Sequence, residues 1–286
     1  MTANIDASVL RPSANAVFAA YESLVTANRE QVERVRELMP PANGDFWADR
    51  APRFRPGELD APEADTLLEL SQPGDTWMDI GAGGGRFAVP LAQAGYRVIA
   101  VEPSPAMREV MSIAAHEADV SIEQLTFRWP PPPSLDVPQV DMSLAANVLY
   151  DAHDLREFLE TMERVTRRLC VVMLSDRAPS TPDGAVWQAL YSEPLRSLPG
   201  LREFLAVLGA WGRRFHVRTY PVEGPVEMSL DDAVEDLRWR YWIGRGTDLE
   251  GRLRGLIAEH YSRPSGLMQP PPRRNFSAVV WWEPRR

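Results

Sequence analysis

Apolar and polar residues follow two different periods along the chain, and the elements they predict come in a regular order. Residues 14–38 repeat apolar positions at helical spacing, which predicts an amphipathic helix that ends at Pro40 and Pro41. From residue 76 onward, short apolar runs typical of buried strands alternate with helical patterns. The predicted strands are 76–80, 97–103, 122–129, 140–150 and 168–175, and the predicted helices are 86–95, 105–119 and one that begins at Asp154. This alternation is typical of a parallel sheet covered by helices.

The last third of the chain mixes both patterns. We expect an N-terminal helical or lid segment at 1–72 and one domain at 73–286, with a helical insertion at about 226–270. The predicted elements here are helices at 184–211 (broken near 197–201), 229–244 and 248–262, with strands at 216–222 and 275–284.

A glycine-rich turn in "WMDIGAGGGRFAVPLA" is the strongest functional signal. Glycine permits positive φ and lets a ligand approach the backbone, and the helix that follows offers free N–H groups. Dinucleotide-binding folds require a small residue at the third glycine position of G-x-G-x-x-G, where this chain has Arg86. The alternative spacing, an acid followed by G-x-G-x-G, fits "DIGAGGG". Glu102, at the end of the next predicted strand, supplies a carboxylate that can accept hydrogen bonds from two hydroxyl groups.

At these residues the chain resembles the class I S-adenosylmethionine-dependent methyltransferases. The matching motifs are "WMDIGAGGGRFAVPLA", "VIAVEPSPAM" and "VDMSLAANVLYD", and the resemblance covers about residues 75–177 and the last predicted strand. It implies a Rossmann-like three-layer αβα methyltransferase fold. The sheet would have seven strands, mostly parallel, with an antiparallel last strand. The cofactor would be S-adenosylmethionine, and the product S-adenosylhomocysteine.

The resemblance also assigns residues to the cofactor. The glycine turn and the second strand supply most of this predicted set, namely Asp79, Gly81, Ala82, Gly83, Gly85, Glu102 and Pro103. Arg128 and Trp129 occupy the place where family members hold the adenine, and there Trp129 either stacks on adenine or seals the core. Asn147 is predicted to border the cofactor. Trp47 and Arg53 are predicted to close over its methionine end.

The candidate catalytic residues follow the fourth predicted strand. His153 and Tyr150 lie where open α/β sheets place their ligands, and either side chain can act as a general base. The alternative for His153 is an exposed residue that precedes a helix cap. Cys170 lies inside an apolar run, which indicates core packing. The four histidines lack ligand spacing, so we expect no metal cofactor.

Composition narrows the class of partner. The formal net charge is −9, which disfavours a nucleic-acid partner, and all 31 cationic residues are arginine. The single cysteine and the absence of a leader or membrane-length apolar run favour a cytoplasmic protein. Aromatic residues in the C-terminal helices either fill the core or roof the acceptor pocket. In the second case we expect a hydrophobic or aromatic small-molecule methyl acceptor, methylated on oxygen or nitrogen. The helix at 14–38 is interpreted either as a lid or as a homodimer contact.

Three other functions compete with this prediction. A catalytically silent, S-adenosylmethionine-binding regulatory protein would keep the same glycine turn and Glu102. A nicotinamide-dependent oxidoreductase conflicts with Arg86, and an RNA methyltransferase conflicts with the acidic charge balance.

Overall fold

The computed structural model describes residues 12–36, 47–48, 50–56 and 62–285. Pro40 and Pro41, the expected end of the first helix, lie outside the described residues. The strands are β1 (Thr76–Ile80), β2 (Arg97–Val101), β3 (Glu123–Leu125), β4 (Val140–Ala146), β5 (Thr166–Ser175), β6 (Phe215–Pro221) and β7 (Phe276–Trp282). The helices are α1 (Ala14–Arg36), α2 (Pro62–Leu70), α3 (Ala88–Gln93), α4 (Pro105–Glu117), α5 (Leu155–Val165), α6 (Gly184–Tyr191), α7 (Leu201–Ala210), α8 (Leu230–Leu237) and α9 (Asp248–Tyr261).

One seven-stranded sheet organises the chain, in the order β3-β2-β1-β4-β5-β7-β6. The pairings from β3 through β5 are parallel, whereas β7 is antiparallel to both of its neighbours. The strand order reverses direction between β1 and β4, and open α/β sheets bind their ligands at such a point. The predicted mostly parallel, seven-stranded αβα fold with an antiparallel last strand is confirmed.

Helices cover both faces of the sheet. On one face α1, α5 and α7 bury a core that contains Phe18, Leu159 and Phe204, while α2, α3 and α4 cover the other face. A separate apolar cluster joins α6, α8 and α9 around Trp187 and Tyr241. The apolar side of α1 is therefore used within the chain. No helix in the described part of the chain is long and apolar enough to cross a membrane.

Local chemistry sets several boundaries. Ser104, Asp154 and Ser229 each accept a backbone hydrogen bond from the third residue of the following helix, as N-cap side chains do. The strand predicted at 122–129 is wrong beyond Leu125. The chain leaves the sheet there, and Trp129 turns inward to donate from its indole nitrogen to the Phe158 carbonyl at 3.2 Å.

A buried ion pair fixes the position of β7. Glu163 on α5 receives two hydrogen bonds from the Arg213 guanidinium, at 2.6 and 2.8 Å, and a third from the Trp282 indole at 2.8 Å. Both charged side chains are less than a tenth exposed. Removing the acid would leave Arg213 buried without its partner, which is costly in the protein interior.

We therefore predict that Glu163→Ala lowers the free energy of unfolding by about 3–5 kcal/mol. Glu160→Ala, on the exposed side of the same helix, is the matched control and should change it by less than about 0.5 kcal/mol. Urea unfolding followed by circular dichroism measures both. Equal effects of the two substitutions would contradict the assigned role of Glu163.

Candidate functional site

The glycine turn is tied to the end of β2 by backbone hydrogen bonds. The amides of Gly81 and Ala82 both donate to the Val101 carbonyl, at 2.8 and 3.2 Å. Gly81, Gly83 and Gly85 have φ of +74°, +55° and +89°, a region that side chains rarely adopt. A Cβ on Gly81 would lie 2.4 Å from a methyl group of Val148, and one on Gly85 would lie 2.8 Å from Met111. The turn therefore requires glycine for both conformation and space.

Glu102 follows β2 and points at this turn. One carboxylate oxygen accepts the Gly83 amide at 2.8 Å and the other accepts the Ser104 amide at 2.8 Å. An ionised carboxylate only accepts hydrogen bonds, so this position suits hydroxyl donors. The predicted proximity of Glu102 to the glycine turn is present in the structure. Pro103, next to it, is exposed and accepts a hydrogen bond from Arg108 at 2.8 Å.

Asp79 is a buried carboxylate without a hydrogen-bond partner in the described chain. It is the penultimate residue of β1, two positions before Gly81, and neither of its oxygens receives a hydrogen bond of normal geometry. Burial, and secondarily the charge of Glu102, raises the pKa of Asp79 from 3.8 to about 7, while the Ala88 amide acts weakly in the opposite direction. A cation bound at the turn would stabilise the ionised form of Asp79.

A short 3-10 turn, Ala51–Phe54, lies against the glycine turn. A Cβ on Gly84 would come within 2.3 Å of the Phe54 carbonyl oxygen, so only a glycine allows this contact. Trp47 packs edge-on against Phe54, with ring centroids 5.4 Å apart. Arg53 forms an exposed ion pair at 3.5 Å with Glu235 of α8. The segment that carries Trp47 and Arg53 thus lies between the glycine turn and the helices inserted before β7.

The end of β4 carries a hydrogen-bonded chain of side chains. Asn147 has a φ of +59°, which ends the strand, and its side-chain oxygen accepts the Tyr150 hydroxyl at 3.3 Å. The same hydroxyl accepts the Ser175 amide at 2.6 Å. Burial raises the pKa of Tyr150, although the Ser175 contact opposes the shift. Tyr150 is therefore held neutral and already engaged.

Other predicted site residues lie further from the turn. His153 is exposed, and the Arg29 guanidinium of α1 contacts its ring nitrogen. Trp129 is buried between Phe127 and Phe158, the arrangement expected of a core residue. Arg128 is exposed, near enough to Asp151 to lower the pKa of that carboxyl against the stronger effect of burial.

Several contacts were not predicted from the sequence. The Phe54 approach to Gly84 and the Val148 cover over Gly81 involve residues far apart in the chain. Arg274, which precedes β7 and donates to Ser175 at 3.3 Å, was also missed. No short-range pattern marks such pairs. Among the described residues there is no group of three His, Cys, Asp or Glu side chains arranged to hold a metal ion.

The residues present fit a nucleoside that carries a cationic amino-acid portion. Glu102 presents a carboxylate, the group that accepts hydrogen bonds from hydroxyls, and Asp79 offers an uncompensated carboxyl group. The glycine turn leaves room for close backbone approach.

Comparison with known proteins agrees with this geometry. Residues 78–173 match the family model of a methyltransferase domain. No curated protein is similar enough in sequence to match.

Solved structures share the fold at low sequence identity. YcgJ from Bacillus subtilis is 15% identical, with a TM-score of 0.53 over 78% of this chain and 98% of that one. A candidate methyltransferase from Bacillus halodurans is 12% identical, with a TM-score of 0.51 over 79% of this chain and 100% of that one. A candidate methyltransferase of an antibiotic biosynthesis pathway from Anabaena variabilis is 19% identical, with a TM-score of 0.50 over 76% and 95%.

We predict that Gly84→Ala detaches the 3-10 turn from the glycine turn. The new methyl group would collide with the Phe54 backbone, while Gly84 itself needs no unusual φ. Trypsin should then cleave after Arg50 or Arg53 at least about tenfold faster, because local opening exposes the backbone. Gly251→Ala, in open space on α9, is the control and should leave cleavage unchanged. Unaltered cleavage in Gly84→Ala would show that the contact does not hold the turn.

We also predict that Asp79 makes the free protein less stable as the pH rises. Its pKa is raised in the folded state, so ionisation favours the unfolded chain between about pH 4 and 7. Between pH 5 and pH 8 this group should remove up to about 3 kcal/mol of unfolding free energy. Asp79→Asn should flatten that dependence, whereas Asp65→Asn, on an exposed part of α2, should not. Denaturant unfolding at the two pH values tests this, and parallel curves for all three proteins would refute it.

Proposed function

We propose that this chain, in which residues 78–173 match the family model of a methyltransferase domain, is a class I S-adenosylmethionine-dependent methyltransferase that transfers a methyl group to an oxygen or nitrogen atom of a small molecule. The observation that carries the proposal is the joint arrangement of the glycine turn, Glu102 and the uncompensated Asp79 at the reversal point of the sheet.

We propose that the residues around the turn divide the work of holding the cofactor. Glu102 accepts the two ribose hydroxyls, and the backbone from Gly81 to Gly85 takes the amino-acid portion. Asp79 supplies negative charge from below the turn. Asn147 and Arg128 border the adenine side. Trp47 and Arg53 close the methionine side, since their segment rests on Gly84.

When bound, S-adenosylmethionine supplies an already activated methyl group on a sulfonium sulfur. The protein is therefore required chiefly to orient the acceptor in line with that group and to exclude water. Helices α6, α8 and α9 form one apolar cluster, and Glu235 of α8 pairs with Arg53 beside the glycine turn, so these helices suit this role.

Tyr150 suits a positioning role better than a basic one. Its hydroxyl is buried, bonded on both sides and raised in pKa, so it holds Asn147 and the end of β5 in place. His153 contacts Arg29 on the surface, which favours its interpretation as an exposed residue before a helix cap over a role as general base. We propose that the acceptor loses its proton to solvent or to a group of its own.

An acidic chain suits a small acceptor better than an RNA. Phosphate binding depends on cation contacts, and the formal net charge is −9. Most of the arginines in the described chain are paired with acids of their own, and these pairs are distributed over the surface.

Calorimetry tests the cofactor site directly. We predict that the purified protein binds S-adenosylhomocysteine and that Glu102→Ala raises the dissociation constant by about 100-fold, because two hydrogen bonds to a charged group are lost. Glu123 is an exposed acid on β3 that pairs with Arg97 on β2, and Glu123→Ala should change the dissociation constant less than about twofold. Thermal unfolding of each variant separates lost binding from lost folding.

Two outcomes would contradict the proposal. Absence of heat with both S-adenosylmethionine and S-adenosylhomocysteine would remove the cofactor. Binding without release of S-adenosylhomocysteine in the presence of any small acceptor would favour a catalytically silent binding protein.

A further inference from the structure

Two arginines beside the proposed methyl-transfer site have no acidic partner in the described chain. Arg86 follows the glycine turn, and its guanidinium lies 5.3 Å from the Phe87 ring centroid without an ion pair. Arg274 lies two residues before β7, and its one side-chain hydrogen bond within the described residues is donated to the Ser175 hydroxyl at 3.3 Å. In contrast, the adjacent Arg273 is fully engaged by Asp236.

The sheet brings these two arginines together. Ser175 and Ser277 are opposite residues of the antiparallel pair β5–β7, so their side chains lie on the same face. Arg274 binds Ser175, while Glu63 of α2 binds the Ser277 hydroxyl. This is the face that Phe87 and α3 cover. Partial burial lowers the pKa of Arg86, and the charges of Glu63 and Arg274 raise and lower it, respectively, by smaller amounts. The Arg86 side chain nevertheless keeps contact with solvent.

A line of hydrogen bonds connects this place to the cofactor strand. Arg274 donates to the Ser175 side chain, the Ser175 amide donates to the Tyr150 hydroxyl, and that hydroxyl donates to Asn147 at the end of β4. Arg274 therefore lies at the carboxyl edge of β5. Arg86 follows the glycine turn at the carboxyl end of β1, and its charge interacts with that of Arg274. This is the edge over which the proposed function places the methyl acceptor.

The two nearest acids are occupied by other groups. Both oxygens of Asp176 accept hydrogen bonds from Asn275, at 2.9 and 2.6 Å. Glu63 is buried and accepts the Ser277 hydroxyl. Neither acid forms an ion pair with Arg86 or Arg274. Because two guanidinium charges are opposed by two acidic charges, a second negative charge on the ligand gains little attraction here. The desolvation cost of an ion grows with its charge, so a singly charged ligand is favoured over a phosphate.

We propose that Arg86 and Arg274 together bind a carboxylate group of the methyl acceptor. This inference rests on the proposed function, since it assigns a chemical class to that acceptor. Guanidinium groups match carboxylates in geometry and charge. Their hydrogen bonds withdraw electron density from the bound oxygens. The carboxylate therefore anchors the molecule, and another oxygen or nitrogen atom of the acceptor receives the methyl group.

The test compares a monoanion with its neutral isostere. Benzoate and benzamide are titrated by NMR into the protein, with and without saturating S-adenosylhomocysteine, and phenyl phosphate is a third probe. We expect benzoate to bind at least about tenfold more tightly than benzamide, with phenyl phosphate weaker than benzoate. Arg86→Gln and Arg274→Gln should each weaken benzoate binding by about tenfold or more and leave benzamide unchanged. Arg97→Gln, at the opposite end of β2, should change neither.

Each result decides one of the two proposals. Equal affinity for benzoate and benzamide, wild-type benzoate binding in both arginine variants, or tighter binding of phenyl phosphate would overturn the carboxylate assignment. If S-adenosylhomocysteine binds and benzoate does not, the assignment alone fails. If benzoate binds through both arginines and S-adenosylhomocysteine does not bind, the anion site stands and the proposed methyl transfer fails.

Discussion

The site depends on one local constraint, the attachment of the glycine turn to the end of β2. The Val101 carbonyl accepts both turn amides, and the next residue, Glu102, accepts a third amide from Gly83. These contacts fix the turn and the acid relative to each other before any ligand arrives. Such preorganisation reduces the ordering cost of binding.

That constraint has an electrostatic cost. Holding Glu102 close to the turn adds its charge to the desolvation of Asp79, so two carboxylates share a buried region with few compensating groups. Buried groups of this kind disfavour ionisation unless a cation is near. The buried carboxyl group of Asp79 lacks hydrogen-bond partners in the described chain at the place where a charged ligand would bind. This is consistent with a binding site, since stability and function often compete at the same residues.

The antiparallel β7 determines the acceptor side. It lies between β5 and β6 and is antiparallel to both, and Glu163, Arg213 and Trp282 fix it at its far end. At its near end the strand aligns Ser277 with Ser175 and brings Arg274 beside the carboxyl edge of β5. The same strand that completes the sheet therefore supplies charge to the proposed acceptor pocket.

The sequence by itself determined the alternation of strands and helices, the glycine turn and the place of Glu102, because each is encoded by short-range periodicity or spacing. It also predicted the capping residues Asp154 and Ser229, whose partners lie three residues away. Only the tertiary structure decided that Trp129 faces the core, that Phe54 rests on Gly84, and that Arg274 binds Ser175 at the end of β5. Those contacts join residues tens to hundreds of positions apart, and their distance is set by strand order and packing, which no local pattern records.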